Sequence, residues 1–301
     1  AGKVTGVCNP KEETNASLSR MMIGAEPPLL EHHECKAGAT TMVVKNLSLE
    51  RDDQYGVDLH EINLHVCKGE VVGIAGVSGN GQKELLYALS GEDTRSPKGS
   101  VCMGGTDVSA LDPGERRVLG LHFVPEERLG RGAVPTLSLA QNLLLTRTES
   151  ISMPRCAGGW IRVKGLATHA ERLIEHFHIK AGGPNSVARS LSGGNLQKYI
   201  VGREIDANPK LLIVSQPTWG VDVGAAAQIR GEILRLRDKG CAVLVVSEEL
   251  DELFEICDRM YVIARGKLSP SIPIAEATVE KIGEWMSGLW ERSAPVEAQH
   301  A

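Results

Sequence analysis

The chain has 301 residues, 42% of them hydrophobic, which is enough to bury one substantial core. Its formal net charge of −5 gives none of the basic excess that indicates nucleic-acid binding, and its apolar runs are too short to span a membrane. The seven cysteines are odd in number and form no CxxC pair, which is typical of reduced, packed thiols rather than of a disulfide framework.

The two ends of the chain contain copies of one short segment. Residues 2–24 and 266–288 are identical at six positions without a gap, including a methionine and turn glycines. The second copy follows the last predicted strand (MYVIARG, 260–266), so we expect residues 1–24 to be the tail of a preceding domain of the same kind. Because position 1 is Ala rather than Met, we interpret the chain as the second half of a tandem protein.

Residues 25–40 are predicted to be a linker. Two histidines and Cys35 within it suggest a metal, but no second group of ligands lies nearby in the sequence, so we predict no metal site. The polar residues 291–301 are predicted to be a disordered tail. One domain is therefore expected at 41–290.

The first half of that domain combines strand patterns with a glycine loop. Alternating segments between Met42 and Val66 predict strands. The apolar run VVGIAGVSGNG at 71–81 becomes rich in glycine, and the helical pattern ELLYALSG follows at 84–91. A strand, a glycine loop and a helix in this order form the context that a phosphate-binding loop requires.

The second half of the domain alternates helical and strand patterns. Residues 133–190 have helical patterns without strand signals, and LSGGNLQK at 191–198 places small residues just before a helix. A buried strand then leads into Pro, Thr, Gly and Asp in LLIVSQPTWGVD at 211–222. The patterns after it are a helix at 224–240, a strand at 241–246 and the segment VLVVSEELDEL at 243–253.

These segments resemble, in order and spacing, the motifs of ATP-binding cassette (ABC) ATPases. The glycine loop resembles the phosphate loop, LSGGNLQK the signature loop, and 211–222 the Walker B strand with its D-loop. The resemblance covers about residues 41–290. It implies an α/β fold of the P-loop NTPase class, with a mixed-sheet core, an antiparallel β subdomain and an α-helical subdomain at about 133–200.

The signature resemblance implies a role at the ATP of another domain. In the family, backbone N–H groups and the positive end of the helix dipole at this loop face the γ-phosphate of an ATP that a partner cassette holds with Mg²⁺. The matching signature positions of this chain are Ser192, Gly193, Gly194 and Gln197, and Asp222 matches the D-loop.

The phosphate loop of this chain lacks the charged chemistry that the family uses. Gln82 stands where the family has the Lys that reaches the β- and γ-phosphates, and Lys83 stands where a Ser or Thr holds Mg²⁺. An amide cannot neutralise phosphate, and a protonated amine has no lone pair for a metal. Weak binding of ATP is therefore expected through the loop residues Gly76, Ser78, Gly79, Asn80, Gly81, Gln82 and Lys83.

Four further positions depart from the family's catalytic residues, so that none is intact. Ser215 and Gln216 replace the Asp that holds the metal and the Glu that polarises the attacking water. Glu126 aligns with the Gln of the Q-loop, and Glu248 aligns with the switch His. Since loss of a general base alone costs about 10²–10⁴ in rate, we predict that this half is catalytically silent by itself.

The sequences of three motifs are similar to those of the second cassettes of bacterial importers for simple sugars and nucleosides. The segments GVSGNGQ, VPEERLGRG (124–132) and LSGGNLQK carry this similarity. It implies a partner cassette, transmembrane permease subunits and, indirectly, a periplasmic or lipoprotein substrate-binding protein. It also implies a peripheral position on the cytoplasmic face of the plasma membrane, with VPEERLGRG as the loop that couples cassette and permease.

Two alternatives stay open at this point. The chain could instead belong to a soluble tandem-cassette ATPase that acts on ribosomes, although that class uses two intact sites and a long charged helical linker. Tyr55 precedes the INLHV strand and is either an aromatic that stacks on adenine, as in many ABC ATPases, or an ordinary loop tyrosine.

Overall fold

The structure is a computed structural model whose described residues are 7–9, 13, 37–147 and 163–290. Most of the predicted tail 1–24, most of the predicted linker 25–40 and all of the predicted tail 291–301 lie outside the described residues. The repeat of 2–24 and 266–288 and the predicted tandem arrangement therefore stay predictions.

From residue 37 onward the chain forms two compact units, which we name the sheet unit and the helical unit. The described part of the sheet unit comprises residues 37–126, 204–216 and 234–290. The described part of the helical unit comprises residues 127–147, 163–203 and 217–233.

The larger sheet of the sheet unit has seven strands among the described residues. They are β3 Val71–Ala75, β6 Leu121–Val124, β7 Leu211–Ser215, β8 Ala242–Ser247, β9 Arg259–Ala264, β10 Lys267–Leu268 and β11 Ile272–Pro273. The strand order is β10-β9-β3-β8-β7-β6, and β11 also pairs with β9. Strands β10 and β11 are antiparallel to β9, and the other pairs are parallel. Parallel strands are usually covered on both faces, which explains why VVGIA, LLIVS and AVLVVS are buried throughout.

The smaller sheet is antiparallel and packs into the same hydrophobic core. Its strands are β1 Thr40–Leu49, β2 Leu59–Cys67, β4 Val101–Met103 and β5 Thr106–Asp107, in the order β2-β1-β4-β5. Inward-facing Val44, Leu64 and Val101 share a core with Ile74 and Leu244 of the larger sheet. The structure therefore confirms the predicted α/β fold with a mixed-sheet core and an antiparallel β subdomain.

Both units contain helices, and several of these begin at capping residues. In the sheet unit they are α1 Gln82–Ser90, α2 Pro113–Leu119, α7 Leu250–Ile256 and α8 Val279–Met286. The helical unit contains α3 Leu139–Asn142, α4 Val163–His176 and most of α5 Gly193–Ile205 and of α6 Val223–Asp238. Asp112 and Glu115 form a capping box at the start of α2, and Thr278 caps α8. No helix in the described ranges is long and apolar enough to cross a membrane.

Two predicted boundaries differ from the structure. The end of the predicted linker already belongs to the smaller sheet, because β1 begins at Thr40 and the amide of Gly38 donates to the carbonyl of Lys68 at 2.8 Å. The pattern LSLAQNLLL at 137–145, one of the helical patterns within 133–190, forms only the single turn α3 and a 3₁₀ turn at Leu143–Leu145. The side-chain amide of Asn142 donates to the carbonyl of Val134, which precedes this helix, at 3.2 Å.

A buried carboxylate ties three elements of the sheet unit together. Glu204 at the end of α5 is fully buried. Its Oε2 accepts a hydrogen bond from Nη1 of Arg117 in α2 at 2.7 Å and lies 2.8 Å from Nδ1 of His122 in β6. Such a cluster is costly to break from one side, because the remaining charge then lacks its partner.

We expect Glu204→Ala to lower the free energy of unfolding by about 3–5 kcal/mol, since it leaves the Arg117 guanidinium without this carboxylate. Urea unfolding followed by circular dichroism measures the change. The control Glu284→Ala removes an exposed carboxylate of α8 and should stay within about 0.5 kcal/mol of the wild type. Equal unfolding free energies for the two variants would contradict the prediction.

Candidate functional site

The loop between β3 and α1 has the backbone shape of a phosphate loop. Gly79 and Gly81 adopt positive φ angles of 81° and 108°, which side-chain-bearing residues rarely tolerate. A Cβ on Gly76 would lie 2.7 Å from the carbonyl oxygen of Ile263, so the chain passes too close to β9 for any other residue. The exposed Ser78 lies at the tip of this loop.

Gln82 closes the loop with its own amide group. Its Nε2 donates to the carbonyl of Val77 at 2.8 Å, and its Oε1 accepts from the backbone N–H of Asn80 at 2.9 Å. The side chain of Asn80 adds a second bond to Val77, at 2.8 Å. The sequence predicts that Gln82 can form hydrogen bonds but cannot neutralise phosphate, and the structure shows that it also occupies one backbone N–H of the loop.

The residues beside the loop fit phosphate poorly and do not fit Mg²⁺. Lys83 points to Tyr87, whose ring centre lies 5.5 Å from its Nζ. Gln82, Ser215 and Gln216 bring no carboxylate oxygen, which is the ligand that Mg²⁺ prefers. Among the described residues, no group of three or more His, Cys, Asp or Glu is placed to hold a metal.

The structure brings Gln216 and Glu248 together at the ends of β7 and β8. Gln216 is buried with a positive φ of 48°, and its Oε1 accepts from the backbone N–H of Glu248 at 3.3 Å. The hydroxyl of Ser247 lies 3.4 Å from the same oxygen. The amide is therefore held in place, yet it cannot accept a proton from water as a carboxylate would.

Three predicted residues, Glu126, Glu248 and Tyr55, are exposed. The side chains of Glu126, after β6, and of Glu248, after β8, both reach solvent. Tyr55 is 88% exposed, and its backbone N–H donates to Oδ1 of Asp53 at 2.7 Å in a local turn. Stacking of Tyr55 on adenine stays a prediction.

In the helical unit, the signature residues form the start of α5. The helix begins at Gly193, and Oγ of Ser192 accepts from Nδ2 of Asn195 at 2.8 Å. A Cβ on Gly194 would lie 3.1 Å from Oδ2 of Asp222. Gly193 and Gly194 therefore expose backbone rather than side chains at the start of α5, which suits the approach of an anion to its N–H groups.

Gln197 and Asp222 have defined contacts inside the helical unit. Nε2 of the buried Gln197 donates to the carbonyl of Pro217 at 3.0 Å. Oδ1 of Asp222 accepts from the backbone N–H of Ala225 at 2.9 Å, so this residue also acts as a cap of α6.

Arg128 also belongs to this group, although its position in VPEERLGRG was the only sequence signal for it. Its Nε donates to Oε1 of Gln197 at 3.0 Å, and its Nη2 donates to the carbonyl of Trp219. These partners are 69 and 91 residues away along the chain, a distance over which no local pattern is informative. Burial lowers the pKa of the Arg128 guanidinium below its usual value.

The loop, strand and helix geometry of the sheet unit defines the class of phosphate-loop nucleotide-binding cassettes. A family model described as ABC transporter matches residues 59–219, and the chain belongs to this family. Solved structures agree on the fold. A nucleotide-free ATP-binding cassette from an ABC transporter has a TM-score of 0.64 at 22% identity, over 82% of this chain and 95% of that one. A dimeric cassette in a post-hydrolysis state with ADP and Pi has a TM-score of 0.64 at 20% identity, over 77% of this chain and 98% of that one.

Curated relatives are more similar in sequence. The nucleoside import ATP-binding protein NupA of Lactococcus lactis is 34% identical over 95% of this chain and 56% of the relative. The glucose import ATP-binding protein TsgD13 of Haloferax volcanii is 37% identical over 99% of this chain and 54% of the relative. The ribose import ATP-binding protein RbsA of Bacillus subtilis is 34% identical over 93% and 55%. The chain thus spans about half the length of the curated relatives it matches.

We expect Gln82→Lys to raise the affinity of the isolated chain for ATP roughly 10- to 100-fold, because a charge-assisted hydrogen bond to phosphate contributes about 1.5–3 kcal/mol. Added Mg²⁺ should change the affinity little in either form. Isothermal calorimetry measures both quantities. Lys83→Gln is the control and should leave the affinity within about threefold, since this ammonium points to Tyr87. A wild-type chain that binds ATP with strong Mg²⁺ dependence would contradict this account.

Proposed function

We propose that this chain is the second, C-terminal cassette of a tandem-cassette ABC importer for simple sugars or nucleosides. Two observations support the proposal. The relatives described above are named as import proteins for nucleosides, glucose and ribose, and the chain matches little more than half of each. The repeat of 2–24 and 266–288 also fits a preceding cassette with the same ending.

The cassette's own site is proposed to bind ATP weakly and not to hydrolyse it. The observation that carries this proposal is the amide of Gln82, which spans the phosphate loop where the family has a cation. Ser215 and Gln216 supply neither a metal ligand of high affinity nor a general base. Two acids, Glu126 and Glu248, would further disfavour a polyanion close to them.

The signature segment is proposed to complete the ATP site of the partner cassette. Ser192, Gly193 and Gly194 would present N–H groups, a hydroxyl and the positive helix end to a γ-phosphate held with Mg²⁺ by the partner's phosphate loop. Gln197 and Asp222 would hold this segment in place through their contacts to Pro217 and α6. The chain then contributes to ATP hydrolysis without owning the hydrolytic site.

The proposed assembly includes transmembrane permease subunits and, indirectly, a substrate-binding protein. The cassette would lie peripherally on the cytoplasmic face of the membrane, with the segment 124–132 as the coupling loop. The alternative, a tandem-cassette ATPase that acts on ribosomes, finds no support in the import proteins that the chain resembles.

The proposal predicts opposite effects for two substitutions in the complete transporter. Ser192→Arg should reduce ATP turnover and transport by about 10²–10³ or more, because it blocks a site where transition-state charge is stabilised. Gln216→Ala lies in the silent site and should change turnover by less than about threefold. ATP hydrolysis and substrate uptake are measured in one reconstituted system, with circular dichroism to verify folding. If Gln216→Ala is inactive and Ser192→Arg is normal, the two sites are assigned the wrong way round.

A further inference from the structure

The guanidinium of Arg128 is fixed in orientation by two of its three nitrogens. Nε is bonded to Oε1 of Gln197 at 3.0 Å, and Nη2 is bonded to the carbonyl of Trp219. Gln197 lies on α5, and Trp219 lies in the segment that leads to α6. The planar group therefore cannot rotate without losing both bonds.

The third nitrogen, Nη1, faces the first residue of α5. A Cβ added to Gly193 would lie only 2.9 Å from Nη1, so the guanidinium lies beside the first residue of α5. A side chain at position 193 would therefore force the guanidinium to shift. The residue before it, Ser192, supplies the hydroxyl at the same end of the helix.

Nη1 has no partner in the part of the chain that the structure describes. Among the described residues, hydrogen bonds of Arg128 engage only Nε and Nη2, and none forms an ion pair with it. Burial lowers the pKa of the guanidinium. Arginine nevertheless stays charged at neutral pH.

Two positive groups and one carboxylate lie at the start of α5. The helix N-terminus carries a partial positive charge of roughly half a unit, the half-buried guanidinium lies beside it, and Oδ2 of Asp222 lies 3.1 Å from the position of a Cβ on Gly194. An anion placed at Gly193 would interact favourably with both charges at once, since one is a fixed guanidinium edge and the other a set of backbone N–H groups.

We propose that Arg128 is a phosphate-facing residue of the signature site, whose Nη1 donates to a γ-phosphate oxygen of the ATP held by the partner cassette. The inference rests on the proposed function, because it assumes that the signature acts on a partner's nucleotide. It adds a cation to a site otherwise made of small residues and backbone. Gln197 and the carbonyl of Trp219 then position the guanidinium before ATP arrives, so no reorientation is needed.

The test uses the complete transporter and measures kcat and KM for Mg–ATP. Arg128→Gln should lower kcat by about 10²–10³, the loss found when one donor to a developing charge is removed. KM should stay within about threefold, because the partner's phosphate loop supplies most of the ground-state binding. Arg128→Lys keeps the positive charge but not the planar guanidinium with its N–H donors, so we expect kcat to fall about tenfold. Arg189→Gln removes an exposed guanidinium three residues before Ser192 and serves as the matched control.

The outcomes separate this inference from the proposed function. If Ser192→Arg abolishes turnover while Arg128→Gln keeps kcat within about twofold of wild type, the role of Arg128 is wrong and the signature role stands. If both variants are normal, the proposed function fails. A rise in KM with unchanged kcat would also overturn the inference, because it would show a role in assembly alone. If Arg128→Gln does not fold, a wild-type kcat for Arg128→Lys would overturn the claim that the oriented guanidinium is needed.

Discussion

Fixed positive charge strengthens the binding of a phosphate group, and the loop after β3 has the neutral Gln82 at the start of its helix. The backbone still curves as a phosphate loop does, with Gly76 against Ile263 and positive φ angles at Gly79 and Gly81. Inside it, the neutral amide of Gln82 bonds to Val77 and Asn80. The loop is thereby stabilised without a ligand, since its polar groups are satisfied internally.

The helical unit differs from this loop in that a positively charged side chain lies at its candidate phosphate-binding position. At the start of α5, glycines keep the backbone accessible, and the guanidinium of Arg128 places a charge against Gly193. Gln197 and Asp222, which could bind a ligand by their chemistry, are instead bonded within the unit. The helical unit thus places a guanidinium where we propose that the chain meets a partner's nucleotide. The division of labour proposed for the two cassettes follows from this difference in charge.

Much of the fold could be predicted, because its signals are local. Continuous apolar runs identified β3, β7 and β8, and the glycine loop before α1 followed from its residue order. The main difference is α3, which forms only one turn; the side-chain amide of Asn142 at its end bonds to carbonyls of Val134 and Leu137 before the helix, contacts that the apolar pattern does not reveal. The contacts within the candidate site were harder to predict from the sequence. The roles of its residues stay predictions, and Arg128 could not be found from sequence, because its contacts bridge 69 and 91 positions.

The central claim is that ATP and Mg²⁺ are held by the partner's loop and only completed by this chain. A structure of the assembled cassettes with Mg²⁺ and a non-hydrolysable ATP analogue tests it most directly. We predict one nucleotide with bound Mg²⁺ whose γ-phosphate contacts Ser192 and Gly193, and no Mg²⁺ beside Gln82. A nucleotide with coordinated Mg²⁺ at Gln82, and none at Ser192, would contradict the account.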